Sequence, residues 1–257
     1  MQTWLEFMLT PRRIIISIVV LILGMVMIRL GIWQLDRLQQ RKASNARIIA
    51  QMDAPAINLN ESNSYEGLSS MQYRKATATG SYDFSQQVFL TNQVWQNQLG
   101  VHLLTPFIIA GSSRAVLVDR GWIPMADASV SAAKKYDEPG QVTLNGIIQI
   151  GQNEPIFGIS DPQLSPGQDR LQTWIVVNLE RIGQQIDPTI LPVYLQITPP
   201  SQNNRIPYRV VTTPDLSNGP HLSYALQWFS FTIILWVGYP IIIRRQYRSE
   251  KKKTAFA

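Results

Sequence analysis

The sequence contains no cysteine and only two histidines, His102 and His221, among its 257 residues. The lack of cysteine excludes a disulfide framework, a CxxCH haem attachment, thiolate sites for zinc or copper, and a thiol nucleophile. Two histidines are also too few for a multi-histidine metal site. Copper delivery needs soft sulfur ligands, and it is therefore excluded as a function.

Sequence motifs of common catalytic sites are absent as well. The chain has no GxSxG elbow, no P-loop, no GxGxxG after a strand and no HExxH. A Ser–His–Asp triad would have to use His102, which alternates within VHLLTPF as an ordinary strand residue does. The paired carboxylates Asp137 and Glu138 lie in a polar loop, where solvated side chains are typical. We therefore expect that the protein is not an enzyme.

Two long apolar runs, one near each end, are the strongest positive signal. Residues 14–28 carry no charge, and the run continues past Arg29 to Leu35. The second run, from Leu222 to Ile243, is wholly uncharged. Each run gives about 33 Å of helix, enough to cross a hydrocarbon core about 30 Å thick. No small-residue cleavage site follows the first run, which favours an uncleaved signal anchor.

Basic residues concentrate in the two tails, while the 14 Lys and Arg of residues 36–220 nearly balance the 15 Asp and Glu. By the positive-inside rule, both termini face the cytoplasm, where the tails contact anionic lipid rather than nucleic acid. The predicted organisation is a cytoplasmic tail at 1–13, a transmembrane helix at 14–35, an extracytoplasmic β-rich domain at 36–220, a transmembrane helix at 221–243 and a basic cytoplasmic tail at 244–257.

The region between the two runs is rich in short β-branched and aromatic segments bounded by turn formers. Strands are predicted at 74–80, 86–91, 101–109, 114–119, 142–150, 173–178, 193–197 and 208–211, with short helices at 126–135 and 178–185. The predicted fold class is an α+β membrane protein. Its two transmembrane helices flank one mostly antiparallel β domain, barrel- or sandwich-like, with short helices.

Polar side chains inside the apolar runs are costly and therefore point to function. Met25, Arg29, Trp33 and Arg37 are spaced by four and form one stripe of the first helix. On the second helix, one face begins at the outer interface. It is shared by His221, Tyr224, Ala225, Trp228, Thr232 and Leu235.

The face of the second helix that begins at His221 suggests porphyrin binding, because haem iron accepts an axial imidazole such as that of His221. Tyr224 and Trp228 could flank the flat macrocycle, and Arg29 or Arg37 could pair with its propionates. Two alternatives stay open. The histidine and aromatic residues are also typical of a membrane–water anchor, and Arg29 can snorkel to the interface.

Three motifs together resemble the Surfeit-locus protein one family of cytochrome c oxidase assembly factors. They are RLGIWQLDRLQQRK at 29–42, VLVDRGWIP at 116–124 and PHLSYALQWFSF at 220–231, with support from HLLTPF at 102–107 and NLERI at 178–182. The resemblance covers about residues 14–245. Asp119 is a departure, since the family pattern has Asn before the RGW segment.

The resemblance implies a non-enzymatic role in delivering haem a to the catalytic subunit of a haem–copper oxidase. It assigns the axial ligand of the haem iron to His221 and a nearby position to Trp228. The other matching motif residues are Gly31, Trp33, Gln34 and Arg37, whereas Arg29 and Tyr224 are assigned by helix geometry alone.

The expected partners are the oxidase catalytic subunit, haem a synthase and the lipid bilayer, with no nucleic acid. Expected localisation is the bacterial inner membrane, as a multi-pass protein; the lack of a transit segment disfavours mitochondria. Two other classes stay open. One is a haem-free scaffold that holds an oxidase subunit, and the other is an extracytoplasmic ligand-binding module on a two-helix anchor.

Overall fold

The structure, a computed structural model, describes residues 4–61, 65–153, 161–162, 164, 169–199 and 205–255. It contains two compact units, one made of Met1–Arg47 with Asp215–Ala257 and the other of Ile48–Pro214. The first unit is helical and the second is rich in β-structure. The predicted fold class is thereby confirmed. Residues 1–3 and 256–257 of the predicted tails lie outside the described residues.

The elements are short except for two helices. The helices are α1 (Trp4–Met8), α2 (Pro11–Asp53), α3 (Val130–Ala133), α4 (Leu179–Gly183) and α5 (His221–Ala255). The strands are β1 (Ile57–Asn58), β2 (Lys75–Tyr82), β3 (Val88–Trp95), β4 (Gln98–Ile109), β5 (Ala115–Pro124), β6 (Gln141–Gln149), β7 (Thr173–Trp174) and β8 (Ile190–Ile197).

Two helices, α2 and α5, are long and apolar enough to cross a membrane. Helix α2 does not end with the apolar run at Leu35 but continues to Asp53. The segment 36–53 contains neither Gly nor Pro and is rich in strong helix formers, so nothing interrupts the helix where the run turns polar. This polar extension adds about five turns.

Five strands of the second unit close into a barrel. Neighbouring strands pair in the order β2, β6, β8, β5 and β4, and a pairing of β2 with β4 closes the ring. All of these pairs are antiparallel except β5 with β8. Strand β3 extends the sheet from β4, and the short strands β1 and β7 pair in parallel with β2 and β3.

Alternation along the strands places one apolar face inside the barrel, as β2 shows with Ala76, Ala78 and Tyr82 buried. Strand β5 is buried on both faces because Val118 packs inside the barrel and Leu117 packs against a second cluster outside it. Trp174 lies in that outer cluster.

Two strand predictions differ from the structure. The prediction at 208–211 is wrong, because only Tyr208 forms a single antiparallel bridge, with Trp122. The neighbouring Val210 is 39% exposed and so has no core against which a strand face could pack. In the segment 173–178, only Thr173 and Trp174 are in a strand, since Asn178 already caps α4 through its side chain.

The helix predicted at 126–135 is interrupted. A 3₁₀ turn, Met125–Asp127, is followed by α3 and by a second 3₁₀ turn, Lys134–Tyr136. The interruption follows from Ser129, which starts α3 as its N-cap by accepting a hydrogen bond from the Ala132 amide.

Candidate functional site

Helices α2 and α5 pack along a seam of small residues. A Cβ added to Gly24 would lie 2.0 Å from Nε1 of Trp236, and one added to Gly31 would lie 2.5 Å from Cε1 of Phe229. Close approach through small residues is the usual way in which transmembrane helices associate. Because the two glycines are seven residues apart, the seam follows a period of 3.5 residues.

The α5 side of the seam repeats the same spacing. Ala225 and Thr232 are buried there, and the Tyr239 hydroxyl lies 2.6 Å from Ser17 Oγ of α2. The Thr232 hydroxyl donates a hydrogen bond within its own helix, to the Trp228 carbonyl. The seam therefore brings the first turn of α5 next to the end of the apolar run of α2.

His221 is the first residue of α5, and its ring is held by a residue of α2. Its Nδ1 lies 2.9 Å from Oε1 of Gln34. An amide oxygen only accepts hydrogen bonds, so this contact favours the tautomer that donates from Nδ1 and has its lone pair on Nε2. A lone pair on a ring nitrogen is what a metal centre requires of histidine.

A glycine lies beside the free nitrogen. Gly219 has φ of +66°, and a Cβ at this position would lie 3.4 Å from both Nε2 and Cδ2 of His221. Glycine suits the left-handed backbone here, and it also leaves Nε2 uncovered.

His221 is one of the residues that line a cleft of about 590 Å³. The cleft is lined by Arg37, Gln40, Arg41, Ser44, Asp215, Ser217, Gly219, Pro220 and His221. The two arginines of the cleft differ in how many hydrogen bonds they make. Arg41 holds the 215–217 loop, donating to both the carbonyl and the carboxylate of Asp215 and to the Ser217 carbonyl. Arg37 is exposed and donates only to Gln40 at 3.1 Å among the described residues.

The loop before His221 has a second attachment to α2. Asn45 is buried, and its Nδ2 donates to the carbonyls of Leu216 at 2.7 Å and Ser217 at 3.3 Å. Within the loop, hydrogen bonds from Ser217, together with the charge of Arg41, lower the pKa of Asp215. The loop therefore presents a fixed carboxylate beside the cleft.

The structure brings some predicted site residues to the cleft and leaves others apart. Arg37 and His221 line the cleft together. Trp228 is half-buried two turns below His221, edge-on to Phe231. Tyr224 is 48% exposed, one turn along α5.

The four-residue stripe of α2 mostly faces away from α5. Arg29 and Trp33 are exposed, each two residues from Gly31 and so on the opposite side of the helix. Arg37 approaches the Trp33 ring at 6.0 Å. The seam runs through Gly24 and Gly31, which allow close approach, and not through the stripe of polar and aromatic residues.

Sequence reasoning missed the contact of Gln34 with His221 and the roles of Gly219 and Arg41. A heptad count from Gly24 through Gly31 places Gln34 next to the seam, so the glycine spacing was the available signal.

The β unit has its own polar pair, in which Asp119 is buried and His102 is partly buried. Nδ1 of His102 lies 2.8 Å from Oδ2 of Asp119, and Asp119 also accepts from the Gly121 amide. Burial by itself lowers the pKa of His102, but attraction and hydrogen bonding from Asp119 outweigh it and raise the pKa above 6.5. His102 is therefore paired within the β unit.

Comparisons with known proteins agree with this architecture. A model of the SURF1 family matches residues 21–233. A SURF1-like protein of Rickettsia felis is 28% identical over 240 residues, covering 89% of this chain and 96% of the relative. Another, from Monosiga brevicollis, is 27% identical and covers 81% of each chain. A third, from Mycobacterium tuberculosis, is 26% identical and covers 98% of this chain and 90% of its own.

The family match covers most of α2, the whole β unit and the first part of α5. The chain therefore belongs to the SURF1 family of membrane proteins, which are assembly factors with a broad role in building oxidases.

Proposed function

We propose that this protein binds haem a at the outer ends of α2 and α5 and assists its insertion into the catalytic subunit of a haem–copper oxidase. The observation that carries the proposal is the His221 ring, which is fixed at Nδ1 and open at Nε2 beside an arginine-lined cleft. Family membership supports the broader assembly role.

The donor set fits an iron porphyrin. A neutral imidazole is a standard axial ligand of haem iron, and Nε2 of His221 has its lone pair available. Propionates need cations, and Arg37 is the better candidate because Arg41 is already engaged by Asp215 and Ser217. A macrocycle also needs apolar walls, and we propose that Tyr224 and Trp228, which lie outside the cleft one and two turns along α5, supply them.

The same features suit a carrier rather than a permanent holder. Among the described residues, His221 is the only histidine of the helical unit, so the protein offers the iron one imidazole. The cleft lies beside a single loop and is open on its other side. A single ligand and an open site give a short residence time, which delivery requires.

The proposed topology places the cleft outside the bacterial inner membrane, with both termini in the cytoplasm. The basic residues of the two tails support this orientation through the positive-inside rule. Haem a synthase is the proposed donor, because its product is apolar and remains in the bilayer. The receiving partner is the oxidase catalytic subunit. A mitochondrial inner membrane is the less favoured location.

The test uses the two histidines of the chain as a matched pair. The full-length protein is purified in detergent from cells that make haem a, as the wild type, His221→Ala and His102→Asn, and each absorption spectrum is recorded. We expect Soret and α bands in the wild type and in His102→Asn, and their loss in His221→Ala. Asparagine can keep the hydrogen bond from position 102 to Asp119, so the control preserves the fold of the β unit.

The haem-free scaffold predicts a different result. In that case the wild-type protein is colourless, still co-purifies with the oxidase subunit and is unaffected by His221→Ala. This outcome would overturn the carrier function in favour of the scaffold function.

A further inference from the structure

We infer that Gln34 is a positioning residue that sets the tautomer of His221 and so determines which ring nitrogen is offered to the iron. The inference rests on the proposed haem site for its function, but its structural content concerns the protein alone.

Gln34 is well placed for this task. It lies half-buried on α2, three residues after Gly31, at the level where α5 begins. Its Oε1 is 2.9 Å from Nδ1 of His221, although 187 positions separate the two residues in the chain. The glycine seam holds the two helices close enough for this hydrogen bond.

The tautomer preference of histidine explains what this hydrogen bond changes. Free histidine in water prefers to carry its proton on Nε2, which would block that nitrogen as a ligand. An acceptor at Nδ1 reverses the preference and leaves the Nε2 lone pair free. Metal-bound histidines commonly have such an acceptor on their other nitrogen, and it also fixes the plane of the ring.

The neighbouring glutamines do not share the role. Gln40 accepts from Arg37 at 3.1 Å, and Gln39 is exposed on a different face of α2. Gln39 therefore serves as a matched control, of the same residue type on the same helix.

Three variants separate hydrogen bonding from packing. Gln34→Leu keeps most of the side-chain volume and removes the acceptor. Gln34→Glu keeps an acceptor oxygen at the same reach and should preserve the tautomer. Gln39→Leu makes the same chemical change as the first variant at a position without the contact.

The experiment is NMR on full-length protein labelled with ¹⁵N-histidine, in detergent, without haem, at pH 8. Only two histidines give signals, and His102→Asn assigns them. The wild type, Gln34→Glu and Gln39→Leu should show His221 protonated at Nδ1, whereas Gln34→Leu should shift the proton to Nε2 or mix the two forms. A wild-type His221 protonated at Nε2, or an unchanged tautomer in Gln34→Leu, overturns the inference.

Titration with purified haem a then tests the consequence. Loss of an orienting partner typically weakens metal binding by about 10–100-fold, so Gln34→Leu should bind haem a weaker by that factor and Gln34→Glu should not. If no variant binds haem a, the wild type included, the proposed function fails while the NMR result still decides the role of Gln34. If Gln34→Leu binds as tightly as the wild type, Gln34 does not position the ligand.

Discussion

Gly31 of α2 lies directly against the ring of Phe229 of α5, with no room for a side chain between them. A Cβ at Gly31 would come within 2.5 Å of Cε1 and 2.7 Å of Cζ of that ring. The contact sits close to Gln34, so the same packing that joins the helices also brings Gln34 to His221.

Replacing this glycine should force the helices apart. We expect Gly31→Leu to destabilise the helix pair by roughly 1–3 kcal/mol, the usual cost of overpacking, with Gly31→Ala milder. Because the chain has no cysteine, Ser17→Cys with Tyr239→Cys gives a clean crosslinking pair, and its yield with a short bis-maleimide should fall in Gly31→Leu. Gly238→Leu is the control, since nothing lies within 4 Å of a Cβ there. Equal yields in both glycine variants would contradict the seam.

Asn45 should be important for the loop that carries His221. We expect Asn45→Ala to lower the free energy of unfolding by about 1–3 kcal/mol, because the Leu216 carbonyl loses its donor and the Ser217 carbonyl keeps only Arg41. Cleavage of the Asp215–Pro220 loop by protease should also become faster in the detergent-solubilised full chain. Lys42→Ala changes an exposed residue one turn earlier and should have little effect on either measurement. Similar behaviour of the two variants would count against the anchor.

The pair of His102 and Asp119 predicts a pH-dependent stability. Because the folded-state pKa of His102 is raised, the pair stabilises the fold fully below the unfolded pKa of about 6.5, and this contribution is lost as the pH rises through the folded value. Asp119→Asn should cost roughly 1.5–3 kcal/mol at pH 5.5, and the cost should shrink by pH 8.5.

Denaturant unfolding of the full chain at both pH values measures this difference. Asp169→Asn removes the same charge from an exposed position and should leave the pH dependence of the wild type intact. A gap between Asp119→Asn and the wild type that stays constant with pH would show that the pair does not titrate.

The surroundings of Arg120 indicate that the RGW motif at 120–122 has a structural role. Its side chain is wholly buried, lies 4.9 Å from the rings of both Tyr82 and Phe84, and donates to Gln87 and to the Tyr136 carbonyl. We expect Arg120→Lys to destabilise the β unit by about 3–5 kcal/mol, because an ammonium cannot fill this planar, multi-donor site.

A thermal melt followed by near-ultraviolet circular dichroism checks that expectation. Arg114→Lys, at an exposed position of the same unit, is the control. A wild-type melting temperature in Arg120→Lys would mean that the guanidinium is dispensable to the fold.

Much of the architecture could be read from local composition. The two long helices follow from two long apolar runs, since the hydrocarbon core of a bilayer favours apolar residues. Most barrel strands follow from alternation, as in β2, because one face must be apolar when it lines a core. The polar continuation of α2 to Asp53 could not be read this way, since a helix without an apolar run leaves no comparable signal.

The sequence by itself determined that two helices are long and apolar enough to span a membrane, that a β domain lies between them and that His221 begins the second helix, because each is a property of neighbouring residues. Only the tertiary structure decided that β2 closes on β4, that Arg29 and Trp33 face away from α5, and that Gln34 holds the His221 ring. These are contacts between distant parts of the chain, and they depend on which surfaces can approach. In the helix pair, the absence of side chains at Gly24 and Gly31 decides that question.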